Sequence, residues 1–334
     1  MTPMTSDTPL PLNLLAARLL DSVAGDPDQC SVRRIATGSV LGATVVDFGV
    51  ECSGSLAAGL DLARVCLAGA ADVSLQPATR SDEATASVSE WDVVVTTDHP
   101  VMAMLGSQYA GWPVSSDDGY FAMGSGPMRL ARGKEKMLES LSLSEPAEVV
   151  VGVLESDRLP SADAVASIAE ACGVSPEKVR LAVAPSTSLA GTIQVVARSV
   201  ETAMHKLHEV EFDVRQIVSA AGRCPLPPPA ADGDSIGGIA RTNDAILYGG
   251  SVTMWVDVSD DKAIESIIDQ VPSRSSNDHG RPFREIFRDY DHDFYRVDPG
   301  LFAPAKIQIH SLRSGKTFAS GSLLPDVLQK SFAS

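Results

Sequence analysis

Glu148-Val149-Val150-Val151-Gly152-Val153-Leu154 is an apolar, β-branched run that starts just after Pro146 and reads as a buried strand. Ser161 to Cys172 follows as a helix with Ser161 as its N-cap, and Arg180-Leu-Ala-Val-Ala-Pro185 is the next strand. On the N-terminal side, Leu12, Leu15, Leu19 and Val23 recur at helical spacing. Thr44 to Val50 reads as a strand, Ser55 to Ala68 as a helix, Asp92 to Thr97 as a strand, and His99 to Gly111 as a helix with Pro100 in its first turn. Gly111 to Gly133 is Gly-rich and irregular, and Arg132 to Leu143 looks helical. On the C-terminal side, Thr192 to Val210 is the longest helical candidate, and Pro225 to Pro229 make a stiff loop. Ser251 to Val258 is a strand and Asp261 to Val271 a helix. Lys306 to Leu312 and Thr317 to Gly321 form a hairpin about Ser314-Gly315, and Leu324 to Phe332 closes the chain. The alternation makes this a mixed α and β chain, without deciding between α/β and α+β.

At roughly 150 residues per domain, 334 residues suggest two domains. Composition places a frayed extension at 1–11, a first domain at 12–146 and a second at 147–334, with discontinuous domains left open. Hydrophobic content of 44% is enough for a sizeable core and excludes wholesale disorder. Against 27 Lys and Arg stand 43 Asp and Glu, a net charge of −16 that opposes binding to nucleic acid or an anionic membrane and favours a cationic substrate. Five cysteines without a CxxC pair support neither a zinc ribbon nor a disulfide framework, and fit a reducing cytoplasm. No apolar run is long enough to span a bilayer, and the N-terminus lacks signal-peptide character, so a cytoplasmic location is expected.

Several groups are candidates for chemistry. Within Thr192–Val210, the residues Val196, Val200, Ala203, Leu207 and Val210 share one helical face, and Arg198, Glu201, His205 and His208 share the other. That polar face reads as a solvated surface, as a metal site of Glu201, His205 and His208, or as a general base, Glu201, tuned by Arg198. The absence of HExxH weakens the metal reading. Gly124-Ser125-Gly126 lets backbone pass close to a ligand and offers amides to an anion, or is a plain turn. It is neither a Walker loop nor a nucleophile elbow. Asp98 and His99 end a strand as an acid–base candidate, or Asp98 caps the next helix. Asn243 and Asp244 suit the polar edges of a heterocycle, or an Asx turn. Glu155, at the end of a strand, is either a pocket carboxylate or a surface residue. His279, His292 and His310 have no ligand-like spacing, Arg288 to Tyr295 lacks the pattern of an EF-hand, and no GxGxxG follows a strand.

Resemblance adds to these readings. Val45 to Glu51, Thr96-Thr-Asp-His-Pro100, Ala110-Gly-Trp112, Tyr120 to Pro127, Leu154-Glu-Ser156, Ala197 to Thr202, Arg241 to Gly250 and Asp293 to Pro304 occur in the order found in methenyltetrahydromethanopterin cyclohydrolases, and the chain resembles that family from about residue 12 to its C-terminus. Residues 1–10, Gln76 to Glu90 and Arg223 to Ser235 depart from it, and Ser199 stands where an apolar residue is more usual. The resemblance implies an α+β fold of two domains with the active pocket between them, and a homotrimer. It implies no metal or organic cofactor beyond the pterin substrate, with no nucleic-acid or membrane partner. It implies reversible hydrolysis of the cationic methenyl bridge of 5,10-methenyltetrahydromethanopterin to the 5-formyl compound, in formaldehyde oxidation or methanogenesis. The catalytic pair carries over to Arg198 and Glu201, with Arg198 expected to lower the Glu201 pKa. Glu155 matches another pocket carboxylate, and Asp98, His99, Gly124, Ser125, Gly126, Asn243 and Asp244 are candidate pterin contacts. A metal-dependent hydrolase and a non-catalytic pterin-binding protein are the alternatives.

Overall fold

The computed structural model describes residues 10–78 and 88–333, so most of the Thr/Pro-rich N-terminal extension and part of the Gln76–Glu90 segment lie outside the described residues. In chain order the principal elements are α1 (Leu12–Ala24), α2 (Pro27–Arg33), β1 (Ala36–Val40), β2 (Ala43–Asp47), α3 (Leu56–Cys66), β3 (Asp72–Pro77), β4 (Trp91–Thr97) and α4 (Val101–Gln108, wound as a π-helix). They continue with β5 (Trp112–Ser115), β6 (Phe121–Ser125), α5 (Met128–Arg132), α6 (Lys136–Ser140), β7 (Val150–Glu155), α7 (Ala162–Cys172), β8 (Val179–Ala184), α8 (Leu189–Val196) and α9 (Ser199–Glu209). The last are β9 (Ile217–Pro225), α10 (Ser235–Gly249), β10 (Ser251–Val256), α11 (Lys262–Glu265), α12 (Phe283–Asp289), β11 (Lys306–Ser311), β12 (Thr317–Gly321) and α13 (Pro325–Ala333).

The strands form two mixed six-stranded sheets, so the fold is α+β with two sheet-containing domains. One sheet runs β1-β2-β8-β7-β6-β5, with β2, β8 and β7 mutually parallel, and the other runs β12-β11-β10-β9-β4-β3, with only β10 and β11 parallel. Each sheet takes strands from both sides of residue 146, so neither 12–146 nor 147–334 coincides with one sheet.

The parallel β7–α7–β8 unit is the one expected from residues 148–185, and Ser161 caps α7 by accepting the Ala164 amide at 3.2 Å. Val165 and Ile168 of α7 pack with Val45, Val150, Leu181 and Val183 on one face of the first sheet. Leu12, Leu20 and Leu62 from α1 and α3 cover the other face against Val46, Val151 and Val153. α3 also turns Ala63 towards the second sheet, where Ile193, Val196, Val200, Ala203 and Leu207 pack on Val95, Ala220, Met254 and Ile309. The α8–α9 segment thus sits with α3 in the layer linking the two sheets. Burying this apolar stripe is the main stabilisation, at roughly 1.5–3 kcal/mol per large side chain.

Five expectations need correction. Asp261 to Val271 is not one helix, because α11 ends at Glu265 and a separate 3-10 turn spans Ile268–Gln270. Gly111 to Gly133 is not irregular, because it holds β5, β6 and α5. Arg132 to Leu143 is not one helix, because Gly133 adopts φ +60° and separates α5 from α6. Thr192 to Val210 is two helices, broken at Ala197 and Arg198. The Asn243–Asp244 stretch is no Asx turn but the interior of α10, a helix that tertiary packing sustains despite three glycines in its fifteen residues. Among the described residues, no helix is long and apolar enough to cross a membrane.

Candidate active site

The break between α8 and α9 positions the Arg–Glu pair. Arg198 occupies the N-cap position of α9 with φ −84° and ψ 5°, and Glu201 lies in the first turn, where the positive end of the helix favours a carboxylate. The turn swings Arg198 inward. Its Nη1 donates to the Gln108 carbonyl, and its Nη2 donates to Ser125 Oγ at 3.1 Å and lies 3.8 Å from Cys66 Sγ. Nη1 also stands 3.9 Å from Glu201 Oε2. Arg198 is 7% exposed and Glu201 5% exposed, so the pair is no solvated face. Burial of Glu201 outweighs the opposing fields of Arg198 and Arg129 and pushes its pKa up to about 7. Arg198 therefore pulls in the expected direction but does not win.

The wall facing Arg198 is the C-terminal end of α4. A helix leaves its last four carbonyls without intrahelical donors. Here buried Arg129 donates through Nη1 to the carbonyls of Leu105 (3.2 Å) and Ser107 (3.3 Å), the Gly126 amide donates to Ser107 at 2.8 Å, and Arg198 takes Gln108. Tyr109 follows. Its ring stacks on His205 at 4.8 Å, and burial together with the Glu201 charge pushes its pKa up to about 12. Desolvation drives His205 down to about 4, so its imidazole is neutral at pH 7.

Glu155 ends β7 opposite Met123 of β6, and a cavity of about 10 Å³ lies among Ser125, Glu155, Gln194 and Arg198. Burial raises the Glu155 pKa, with Arg198 opposing. Gln194 Nε2 donates to Cys66 Sγ at 3.3 Å, so this buried thiol takes part in a polar network and is more than a small hydrophobe.

The other sequence candidates divide. Ser125 joins the site as the hydrogen-bond partner of Arg198. Gly126, at φ +87°, has its amide occupied by the Ser107 carbonyl and does not offer it to an anion. A Cβ on Gly124 would lie 2.8 Å from the Trp112 carbonyl, so that glycine serves the close approach of β5 and β6. Asp98 and His99 are exposed at the far end of α4 from Gln108. Asp98 accepts from Ser219 Oγ at 2.7 Å and does not cap the helix, while Thr97 Oγ1 takes the His99 amide. Asn243 and Asp244 are not brought to the pair. Asn243 Nδ2 donates to the Ile239 carbonyl at 2.8 Å, and fully buried Asp244 accepts the Phe283 amide at 2.8 Å, tying α10 to α12. Glu201, His205 and His208 do not converge on a common point: His205 Nδ1 faces Glu209 at 3.8 Å and His208 Nε2 faces Ser140 Oγ at 3.2 Å. Among the described residues, no three His, Cys, Asp or Glu side chains stand together as metal ligands. Gln108, Arg129, Glu135 and Tyr109 were not singled out by the sequence, because nothing in their spacing joins them to Arg198.

A family model described as cyclohydrolase (MCH) matches residues 11–332. The chain belongs to that family. It shares 60% identity over 297 residues with the methenyltetrahydromethanopterin cyclohydrolase of Rhodopirellula baltica, covering 88% of this chain and 87% of the relative. A protein of the same name from a Methylobacterium species is 41% identical over 337 residues, 99% of this chain and 100% of the relative. One from Methanothermobacter marburgensis is 39% identical over 325 residues, 96% and 98%.

Within this cyclohydrolase, Ser199 is fully buried and its Oγ has no hydrogen-bond partner. It rests against Gly222 of β9, where a Cβ would come within 2.5 Å of that oxygen. Ser199→Ala is expected to stabilise the protein by about 1 kcal/mol, since it removes a desolvated hydroxyl without removing a bond. A thermal melt showing a rise of a few degrees checks this. An unchanged or lower melting temperature would mean that the hydroxyl is satisfied.

Proposed function

We propose that this chain catalyses the reversible hydrolysis of 5,10-methenyltetrahydromethanopterin to 5-formyltetrahydromethanopterin, with Glu201 as the general base. The observation that carries the chemistry is a buried carboxylate poised near neutrality in the first turn of α9, beside Arg198. A general base works best when its pKa lies near the operating pH.

The methenyl carbon is cationic and already electrophilic. Glu201 orients a water and takes one of its protons as oxygen bonds to that carbon. The tetrahedral adduct then collapses to the formyl group and one carbon–nitrogen bond breaks. Glu201 returns its proton to the departing nitrogen, the adduct's hydroxyl proton leaves to solvent, and the substrate's positive charge is thereby balanced by one released proton. Arg198 limits how far burial raises the base. Glu155, at the end of β7, is the further carboxylate that favours the bound cation, and Ser125 acts through Arg198. Asp98 and His99 remain rim candidates, while Asn243 and Asp244 are better explained as structural. The reaction as proposed uses no metal or organic cofactor beyond the pterin. The homotrimer and the cytoplasmic location belong to the same reading.

The test follows the methenyl chromophore by absorbance with purified protein. Loss that is unaffected by chelator is the expected result. No loss under any condition would overturn the reading in favour of a binding protein, and loss that depends on an added divalent ion would favour a metal-dependent hydrolase.

A further inference from the structure

Two arginines, not one, close the C-terminal end of α4. Arg129 is fully buried. Its Nε donates to Glu135 Oε1 at 2.8 Å and its Nη2 to Glu135 Oε2, a two-pronged pairing that fixes the guanidinium plane. The remaining nitrogen, Nη1, reaches the Leu105 and Ser107 carbonyls, and the next carbonyl, that of Gln108, receives Arg198. The same guanidinium lies 5.1 Å from the centre of the Tyr109 ring, which stacks on His205, one turn after Glu201. Gly111 leaves the room: a Cβ there would collide with Glu135 and come within 2.8 Å of the Tyr109 ring.

We infer that Arg129, clamped by Glu135, is a positioning residue for the Arg198–Glu201 pair. It holds the end of α4 so that the Gln108 carbonyl sits where Arg198 needs it, and it fixes Tyr109 and His205 beside Glu201. A lysine cannot do this, because one ammonium matches neither the flat carboxylate fork nor two carbonyls at once. Arg129 also supplies the second positive field on Glu201. The charged and titratable groups around that carboxylate are Arg198 beside it in sequence, Arg129 from α5, and Tyr109 and His205 on the adjoining wall. Glu135 and Glu209 act on Tyr109 from behind.

This inference rests on the cyclohydrolase reading, and the experiment separates the two. The full chain and its Arg129→Met, Arg129→Lys and Glu135→Gln variants are assayed by loss of the methenyl chromophore across pH, with thermal melts alongside. In Arg129→Met, kcat should fall about 100-fold with KM changed less than about threefold. The acidic limb of the hydrolysis profile should move to higher pH, because Glu201 loses a favourable charge. Arg129→Lys should restore the limb but not the rate. Glu135→Gln, which keeps the arginine charge and loosens its clamp, should lower kcat with the limb unmoved or shifted to lower pH, and it serves if Arg129→Met does not fold. Wild-type kcat and limb in folded Arg129→Lys and Glu135→Gln would overturn the inference, as would losses that track melting temperature alone. An inactive wild-type chain would instead sink the functional reading itself.

Discussion

Replacing Glu201 by Gln is expected to lower kcat by about 10²- to 10⁴-fold while the methenyl substrate still binds. Glutamine keeps the volume and one hydrogen-bonding oxygen but cannot accept the proton of the attacking water. The pH dependence sharpens the test. With Glu201 at about pKa 7, hydrolysis needs the ionised form, so its rate should rise with pH through an acidic limb near 7. Cyclisation of the formyl compound needs the protonated form and should show the opposite limb. Stability gives an independent readout. The folded pKa lies above the value of about 4.3 for an unperturbed Glu, so the wild type binds more protons folded than unfolded in this range. Its stability relative to Glu201→Gln is retained below about pH 4 and lost as pH rises through 7. The variant should therefore melt above the wild type at pH 8, with the gap narrowing by pH 5. Normal turnover by Glu201→Gln would remove this carboxylate from the chemistry. An unchanged melting difference across pH would show that its environment is not the one described.

Elements with strong local periodicity were legible in the sequence, and those made by distant contacts were not. The β7–α7–β8 unit, α1, α3 and the β11–β12 hairpin carry apolar spacing that acts within a few residues, and α3 and α7 add serine N-caps. Arg198 and Glu201 were visible as neighbours on one helical face, but a face does not say whether it is wet. The partners that bury Arg198 lie 90 residues away at Gln108, 73 at Ser125 and 132 at Cys66. The break at Ala197–Arg198 has no glycine or proline to announce it and is imposed by those contacts. The Arg129–Glu135 pair is six residues apart across the left-handed Gly133, a spacing that matches no helical neighbour rule. The π-winding of α4 was equally hidden, and such segments occur often at functional sites. The Asn243–Asp244 motif misled for a different reason. Its polar residues suit a ligand edge, yet Asn243 bonds back to the Ile239 carbonyl of its own helix and Asp244 ties α10 to α12.

Substituting Arg198 by Met should cost at least about 100-fold in kcat and move the acidic limb of hydrolysis well above pH 7. The guanidinium is the nearest positive group to Glu201 and the first of the two charges that hold its pKa down. Without it, burial dominates further and more of the base is protonated at neutral pH. The Gln108 carbonyl and Ser125 Oγ also lose the arginine as donor, and Cys66 Sγ loses the weaker of its two. Leaving a buried carbonyl unpaired costs about 1–3 kcal/mol, so the melting temperature should fall as well. Arg198→Lys separates the two effects. It keeps the charge, so the limb should stay near its wild-type position, but one ammonium cannot reach Gln108 and Ser125 in the geometry of the planar fork. Its rate should therefore lie between those of the wild type and Arg198→Met. A full pH–rate profile of both variants decides the matter. If the limb does not move in Arg198→Met, Arg198 does not tune the base and serves only to shape the pocket. If Arg198→Lys is as active as the wild type, the charge alone suffices, and the fixed contacts to α4 and β6 are not what makes the pair work.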